Sequence, residues 1–450
     1  MRKILFLLTA IVALSSCSED DDFGGSALGS VPFTVNLKYD TEAFNGEAVN
    51  TGTVTLTNTS TSDVYTAETN ASGVANFTNI LPGTYNVTAT KTLTSPEFST
   101  VFGFAPETET VIFNGSQGQV LVNANVSATT LELKSARIGD LVIKQVYYAG
   151  SHAQQGAVFR DQFIEIYNNS NEVIYADGLY IGQLYGRTTT STAAFTLANG
   201  QFDWSKSLEM TLGNSANTNY VYADYVMRVP GNGTQYPIQP GESLVLAQSA
   251  LNHKSPLVDN SGLPLNVQNP ELTIDLSTAD FEAYLGDFRV SLGEEVYRYD
   301  IQNPAVADIE IAYWGKPGFP NNNKDMILDA LGRDSFVIFR SENFDATKNF
   351  PDPSVTTPVA TTTYFVQIPV STIIDGVDLQ HYNPSSQRPK MLPSQIDASF
   401  INVDNSYNSQ SVIRKTKTTT ADGRKILEDT NNSATDFIKL SKANPRGFAL

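Results

Sequence analysis

Cysteine and histidine are scarce in this chain of 450 residues, and their scarcity removes several kinds of site. The one cysteine is Cys17, so no internal disulfide can form and no other thiol is available as a nucleophile or metal ligand. The three histidines are His152, His253 and His381, each alone in a polar, loop-like segment. A metal site would require them to converge from distant positions in the sequence. We expect three exposed loop histidines instead.

A run long enough to cross a bilayer is missing at the amino terminus. The apolar run over residues 4–14 is too short, because a membrane-spanning helix needs about 20 residues. Arg2 and Lys3 precede this run and small residues follow it, which is the layout of a secretory signal peptide over residues 1–16. The stretch Leu14-Ser15-Ser16-Cys17 resembles a lipobox. The resemblance implies that Cys17 receives three acyl chains and anchors the mature protein stably in its membrane. The alternative is an ordinary signal peptide that contains a cysteine.

An acidic and glycine-rich tether is predicted over residues 17–30, which are too polar to pack. It begins with Ser18, Glu19, Asp20, Asp21 and Asp22 directly after Cys17. This cluster resembles the acidic export signal of Bacteroidota surface lipoproteins. The resemblance implies a protein anchored in the outer membrane and exposed on the cell surface. A solvated spacer without a sorting role is the simpler alternative.

Basic residues are few relative to acidic ones. The chain has 29 Lys and Arg against 47 Asp and Glu, which gives a formal net charge of −18 at pH 7. Nucleic acids and anionic headgroups are bound by basic patches, so the charge argues against both as ligands. We therefore predict no nucleic-acid partner.

Evidence for helices is thin, and short alternating runs predict an all-β protein. In the first predicted domain, residues 31–134, the runs 33–39 and 85–89 alternate apolar with polar side chains, and a turn at Gly73 separates two further strands. The string T-N-A-S-G-V-A-N-F over residues 69–77, followed by I-L-P-G-T-Y over residues 80–85, resembles the prealbumin-type β-sandwich of carboxypeptidase regulatory-like domains. That resemblance implies a structural spacer or interaction module with no catalytic role.

The second predicted domain covers residues 138–450. The string F-I-E-I-Y-N-N-S over residues 163–170, the string P-G-E-S-L-V-L-A over residues 240–247, and the closing segments 411–415 and 429–437 resemble the lamin-tail type of immunoglobulin-like sandwich. We expect a long insertion at about 252–410, the first place to look for a ligand. The two modules together resemble an uncharacterised family of Bacteroidota surface lipoproteins, a domain of unknown function that implies no activity.

Catalytic and metal motifs are absent from the sequence. It contains no nucleophile elbow, phosphate loop, dinucleotide fingerprint or His-Glu-x-x-His helix, so we predict no catalytic residue, no bound metal and no cofactor. Glu165 alternates with two isoleucines and is expected on the solvent face of its strand. Asp300 with Asp308, or Asp275 with Asp280, could supply oxygen ligands to calcium, but neither pair lies in an EF-hand spacing.

Tyrosines cluster in the second domain and allow two interpretations. Exposed rings would suit sugar stacking or partner contacts, whereas buried rings would be sandwich core. The clustered positions are Tyr147, Tyr148, Tyr175, Tyr180, Tyr185, Tyr220, Tyr222, Tyr225 and Tyr236.

The sequence favours a non-enzymatic surface module that binds a nutrient of unknown identity or docks on an outer-membrane β-barrel transporter. Its ligand-binding residues are not predicted. One alternative is a carboxylate-dependent extracellular hydrolase, for which two carboxylates about 5 to 10 Å apart in a cleft would be the signature. The other alternative is a purely structural component of the cell surface.

Overall fold

The computed structural model describes residues 29–103, 110–136, 140–185, 193–315, 325–326 and 328–449. Cys17 and the acidic cluster at residues 18–22 lie outside the described residues. Among the described residues, no helix combines the length and the apolar character that a bilayer span requires.

The first domain is a β-sandwich whose strands follow the alternating pattern of its sequence. In β1 every second residue from Phe33 to Tyr39 is buried, so one face of the strand forms core and the other is wet. The hydrogen-bonded order is β3-β2-β5-β6-β7-β1-β4, with β1 and β7 parallel and the other neighbours antiparallel. The elements are β1 Val31–Tyr39, α1 Thr41–Phe44, β2 Thr53–Asn58, β3 Val64–Glu68, β4 Val74–Ile80, β5 Gly83–Thr94, α2 Ser95–Phe102, β6 Thr110–Val122 and β7 Ala128–Ala136.

The second domain packs two large sheets face to face. The described strands give one sheet in the order β21-β22-β12-β11-β20-β23, with β19 also paired to β12, and another in the order β18-β17-β14-β9-β8-β24-β27. The strands of this domain are β8 Leu141–Tyr147, β9 Phe163–Asn168, β10 Ile174–Tyr175, β11 Tyr180–Leu184, β12 Tyr220–Arg228, β13 Pro237–Ile238, β14 Ser243–Ala247, β15 Leu257–Val258, β16 Pro264–Leu265, β17 Phe281–Glu282, β18 Ala307–Asp308, β19 Glu310–Trp314, β20 Ser335–Phe339, β21 Asn349–Pro351, β22 Tyr364–Pro369, β23 Ile373–Val377, β24 Ser411–Arg414, β25 Thr416–Thr419, β26 Lys425–Leu427 and β27 Phe437–Leu440. Its short α-helices are α3 Ser215–Thr218, α4 Gly286–Ser291 and α5 Ser433–Asp436.

The main core of the second domain lies between these two sheets. Ile143 and Ile166 from one sheet pack in the same cluster as Ile181, Met227 and Ile338 from the other. Further apolar clusters cover the outer faces of both sheets. As a result every residue of β8 and β9 is buried, on both faces.

The all-β fold predicted from the sequence is confirmed. The span 252–410, expected to be an insertion, contributes strands to both large sheets: β17 and β18 extend one sheet, and β19 to β23 belong to the other. The physical reason is that its apolar strand β20 pairs with β11 and carries Phe336 and Ile338 into the central core.

Candidate functional site

A cleft of about 670 Å³ lies between the first and second domains. Its volume falls within the range of about 300 to 1,000 Å³ that is typical of ligand sites. Amide and hydroxyl side chains dominate its lining. The polar lining residues are Asn86, Thr88, Ser116, Gln117, Gln119, Thr196, Asn199, Gln380, Gln387, Arg388, Lys390 and Ser399.

Strands β5 and β6 form the wall contributed by the first domain. Val87 is fully buried in the core, so its neighbours Asn86 and Thr88 point to the opposite face, towards the cleft. Thr88 lies opposite Ser116 in the antiparallel ladder. This wall is therefore a rigid sheet surface that presents hydroxyl and amide groups.

Two glycines allow the domains to approach each other at the edge of this cleft. A Cβ atom at Gly118 would lie 3.3 Å from the Cα atom of Gly200, which leaves little room for any side chain. Gly200 has a φ of +83° at the end of the tight turn that begins at Leu197, where its N–H donates to the Leu197 carbonyl. A larger residue at Gly118 would push the two walls apart, and a side chain at Gly200 would strain the backbone because of its positive φ.

The wall contributed by the second domain consists of loops that are fixed by a parallel bridge. The Lys390 N–H donates to the Gly200 carbonyl at 2.9 Å, and the Phe202 N–H donates to the Lys390 carbonyl at 2.8 Å. The Lys390 ammonium donates to the carbonyls of Asp397 at 2.5 Å and Ser399 at 2.8 Å. These bonds hold segments 197–200 and 397–399 in one surface.

Buried aspartates support this wall from behind. Asp378 accepts from the N–H groups of Met391 and Leu392, and it lies 3.3 Å from the Lys390 ammonium. Asp397 accepts from the Asp378 N–H at 2.8 Å and from the Ser433 hydroxyl at 2.5 Å. Burial raises the pKa of Asp397 to about 6, although Lys390 acts in the opposite direction. The loops of this wall are thus held in place by buried carboxyl groups.

A direct hydrogen bond joins the two domains near the cleft. Asn114 of β6 is fully buried, and its amide donates to the Thr430 carbonyl at 2.7 Å. Its side-chain oxygen accepts from the Thr90 hydroxyl at 2.8 Å, which fixes the orientation of the amide. The relative position of the two walls is therefore specified by a buried polar contact.

Two of the three histidines are not where the sequence predicted them. His253 and His381 are buried, at 1% and 8% exposure, so the expectation of exposed loop histidines is wrong for both. Burial lowers the pKa of His253 to about 4, and its Nε2 atom lies 3.0 Å from the Ser249 carbonyl. Within the described ranges, no three His, Cys, Asp or Glu side chains are placed to hold a metal ion.

The interpretation of Glu165 as a solvent-facing carboxylate is also wrong. Glu165 is fully buried and accepts from the Lys144 ammonium at 2.8 Å and from the Gln145 amide at 3.1 Å. Phe448, near the carboxyl end of the chain, covers this pair, with its ring centroid 3.9 Å from the Lys144 ammonium. Both faces of the sheet are covered, so alternation along β9 does not distinguish core from solvent.

Most of the clustered tyrosines belong to the core. Tyr147, Tyr148 and Tyr222 are at most 2% exposed, whereas Tyr175 is 40% exposed. The aromatic residue that lines the cleft is Phe400, which the sequence did not single out. Phe400 could not have been found by local pattern, because the other wall lies some 300 residues earlier in the chain.

Of the two acidic pairs considered for calcium, one contains an unusual carboxylate. Asp300 is buried, accepts from the Leu285 N–H at 2.9 Å, and interacts electrostatically with Asp325 rather than with its predicted partner Asp308. Burial and Asp325 raise the pKa of Asp300 to about 9, and burial raises that of Asp325 to about 7. Both carboxyls are 2% exposed, which separates them from the cleft lining and from solvent.

Part of the chain is similar to a family of known proteins. Residues 239–444 match the family described as a protein of unknown function (DUF4876), and residues 1–18 match the prokaryotic membrane lipoprotein lipid attachment site. A crystal structure of a DUF4876 family protein from Bacteroides thetaiotaomicron is similar at 26% identity and a TM-score of 0.50, covering 91% of this chain and 94% of that one. A DUF3823 family protein from Bacteroides ovatus matches at 13% identity and a TM-score of 0.14, over 48% of this chain and 98% of that one. No curated protein matches.

These matches confirm the coarser predictions. Residues 239–444 match the DUF4876 family model, a Bacteroides protein of that family is similar over most of the chain, and the chain is a membrane lipoprotein with a lipid attachment site. Lipidation at Cys17 and export by residues 18–22 stay predictions. The regulatory-like and lamin-tail-like resemblances of the two modules also stay predictions.

Proposed function

We propose that this lipoprotein is a non-enzymatic binding module that holds a short oligosaccharide in the cleft between its two domains. The observation that carries the proposal is the lining of the cleft, where four hydroxyl and five amide side chains from both domains, besides the buried amide of Gln380, line about 670 Å³ of space. Amides and hydroxyls both donate and accept, so they match the alternating donors and acceptors of a sugar. Phe400 adds an apolar ring against which a sugar face can pack.

The lining also supports binding rather than hydrolysis at this cleft. Among the described residues that line it, none is Asp or Glu. Glycoside hydrolysis generally uses a pair of carboxylates that flank the scissile bond. The buried pair Asp300 and Asp325 is the one observation that favours a hydrolase, and its enclosure keeps a polymer substrate from reaching it.

Blocking the cleft tests the proposal. Thr88→Trp places a large ring on the β5 wall, and we expect it to weaken binding of neutral and acidic oligosaccharides at least tenfold in calorimetric titrations of the detergent-solubilised protein. Thr66→Trp is the matched control, because Thr66 is exposed on the edge strand β3 and does not line the cleft. Unchanged binding in Thr88→Trp, or equal loss in both variants, would refute binding in this cleft.

We further propose that the protein is displayed on the outer face of the outer membrane. The acidic cluster at residues 18–22 supports this location through its resemblance to a surface-export signal. Protease added to intact cells should degrade the wild-type protein and spare a variant whose Glu19, Asp20, Asp21 and Asp22 are all changed to Ala. Equal protection of both proteins would contradict surface export.

A β-barrel transporter in the same membrane is the partner we propose for ligand transfer. The proposal follows from the lipid attachment site together with a cleft suited to nutrients. Extraction in mild detergent should recover a complex with a transporter through the tagged lipoprotein. If no β-barrel protein co-elutes, the docking proposal should be abandoned. If the protein also binds no ligand, a structural role on the cell surface becomes the better proposal.

A further inference from the structure

The charge of the cleft differs from that of the chain as a whole. The protein has 47 acidic and 29 basic residues, yet the described lining residues include two basic ones, Arg388 and Lys390, and no acidic one. A concave surface lined by charge of one sign concentrates the electrostatic potential that a ligand meets. A cation of this lining that no carboxylate compensates would therefore attract an anionic group, although the protein as a whole is strongly negative.

The two cations differ in what they already bind. The Lys390 ammonium donates to two backbone carbonyls and lies 3.3 Å from the buried Asp378 carboxylate. The positive charge of Lys390 is therefore compensated by Asp378 within the wall. In the part of the chain that the structure describes, the guanidinium of Arg388 has no hydrogen bond or ion pair, and its buried Nε atom has no acceptor. Arg388 is therefore the cation that is left to meet a ligand.

The backbone of Arg388 is held in a fixed position. Its N–H donates to the side-chain oxygen of Gln380 at 2.9 Å, and its carbonyl accepts from the Gln380 amide at the same distance. Gln380 is itself 3% exposed. These two bonds fix the point from which the guanidinium extends, so less freedom is lost when a ligand binds.

A guanidinium recognises one kind of group best. Its planar array of N–H donors matches the two oxygens of a carboxylate or the oxygens of a sulfate, and both pairings form parallel charge-assisted hydrogen bonds. One free cation suits one such group, whereas nucleic acids and other dense polyanions require several cations. The remaining amide and hydroxyl lining suits the sugar hydroxyls.

We infer that the ligand of the cleft is an acidic saccharide and that Arg388 binds its carboxylate or sulfate. This inference rests on the proposed function, because it names the ligand class that the same cleft would take. Arg388 would select the acidic sugar over its neutral counterpart, and the amides and hydroxyls of both walls would bind the parts that the two ligands share.

Matched ligands separate the charge from the sugar. Titration of the full-length protein in detergent at low salt would compare a uronic-acid trisaccharide with its methyl ester, and a sulfated trisaccharide with its desulfated form. We expect the wild type to prefer the acidic member of at least one pair by tenfold or more, and the preferred pair identifies the anionic group. Arg388→Gln should remove that preference, because it should weaken binding of the acidic member at least tenfold more than binding of the neutral member.

Two further variants keep the result interpretable. Lys254→Gln removes one positive charge from an exposed residue outside the cleft and should keep the preference. Arg388→Lys keeps the charge but loses the two-pronged donor geometry, so its preference should be intermediate. This variant also serves if Arg388→Gln does not fold.

The outcomes distinguish failure of this inference from failure of the proposed function. If neutral and acidic ligands bind equally, or if Arg388→Gln keeps the preference, the inference is wrong while binding in the cleft stands. If no saccharide binds and Thr88→Trp changes nothing, the proposed function fails and this inference fails with it.

Discussion

The buried carboxyl of Asp300 should make the stability of the second domain depend on pH in a direction opposite to that of ordinary paired aspartates. Its pKa is raised to about 9 by burial and by Asp325, and that of Asp325 is raised to about 7 by burial. An aspartate in the unfolded chain has a pKa of about 3.9. Between these limits the folded protein keeps a proton that the unfolded chain releases, so rising pH favours unfolding.

The size of the effect follows from the width of this window. Each such group lowers the free energy of unfolding by about 1.4 kcal/mol per pH unit until its folded pKa is reached. From pH 6 to pH 8, Asp300 alone contributes a loss of about 3 kcal/mol, and Asp325 adds about 1 kcal/mol up to pH 7. The stability conferred by protonation is complete below about pH 4 and is lost by about pH 9.

Asp300→Asn removes the titration while preserving the acceptor for the Leu285 N–H. We expect the variant to gain about 3 kcal/mol relative to the wild type between pH 6 and pH 8. Urea unfolding followed by tryptophan fluorescence measures this directly, because both tryptophans, Trp204 and Trp314, belong to the second domain. Glu172→Gln, an exposed change in the same domain, serves as the control. Equal pH slopes for Asp300→Asn and wild type would refute the reasoning.

Four other substitutions test the ionic contacts and the anchor. Arg414→Met leaves three buried aspartates without their shared guanidinium, so urea unfolding should show a loss of about 3 to 5 kcal/mol. Lys144→Met removes the ion-pair partner of the buried Glu165, and we expect a similar loss in the free energy of unfolding. The double variant Lys144→Met, Glu165→Leu should lose less stability than Lys144→Met alone. An equal or larger loss in the double variant would contradict a stabilising ion pair. Cys17→Ala should move the protein out of the membrane fraction, since the acyl chains supply the anchor, and unchanged fractionation would contradict lipidation there.

Local pattern predicted the first domain well because its sandwich is wet on the outside. Alternation over residues 33–39 corresponds to the alternating burial of β1, and the turn at Gly73 lies directly before β4. Gly73 has a φ of +76°, and a Cβ there would approach the Leu37 carbonyl to 2.4 Å. A turn glycine and a period of two are both properties of neighbouring residues, which is why the sequence reveals them.

Alternation along β9 does not predict its burial, because the residues that surround β9 come from distant parts of the chain. Gln145 beside Glu165 donates to the Asn444 carbonyl at 2.8 Å, and Phe448 covers Lys144. These covering residues lie about 280 positions after β9, so the periodicity along β9 carries no information about them. One local sign did exist, since Lys144 and Gln145 occupy a strand of otherwise apolar residues opposite a glutamate.

The cleft could not be predicted from the sequence for a related reason. Its walls join residues 86–119 with residues 193–200 and 380–400, and none of these segments carries a recognisable motif. The span 252–410, where the sequence predicts that a ligand would bind, includes the Arg388 side of the cleft but also most of one sheet. The opposite wall belongs to the domain that the resemblance assigned to a spacer.

The acidic composition has a structural use that net charge alone does not reveal. With one cysteine, the long loops of the second domain cannot be fixed by disulfides, and buried aspartates take that role. Asp177 accepts from the N–H groups of Gly233, Gln235 and Tyr236, and these bonds lower its pKa although burial opposes them.

Asp397 likewise joins the loop before β24 to the segment around Ser433. A carboxylate can accept several backbone N–H bonds at once, whereas an amide has one acceptor oxygen. Part of the −18 charge is therefore needed to shape the loops, including the wall of the cleft, although no acidic residue occurs among the described residues that line the cleft.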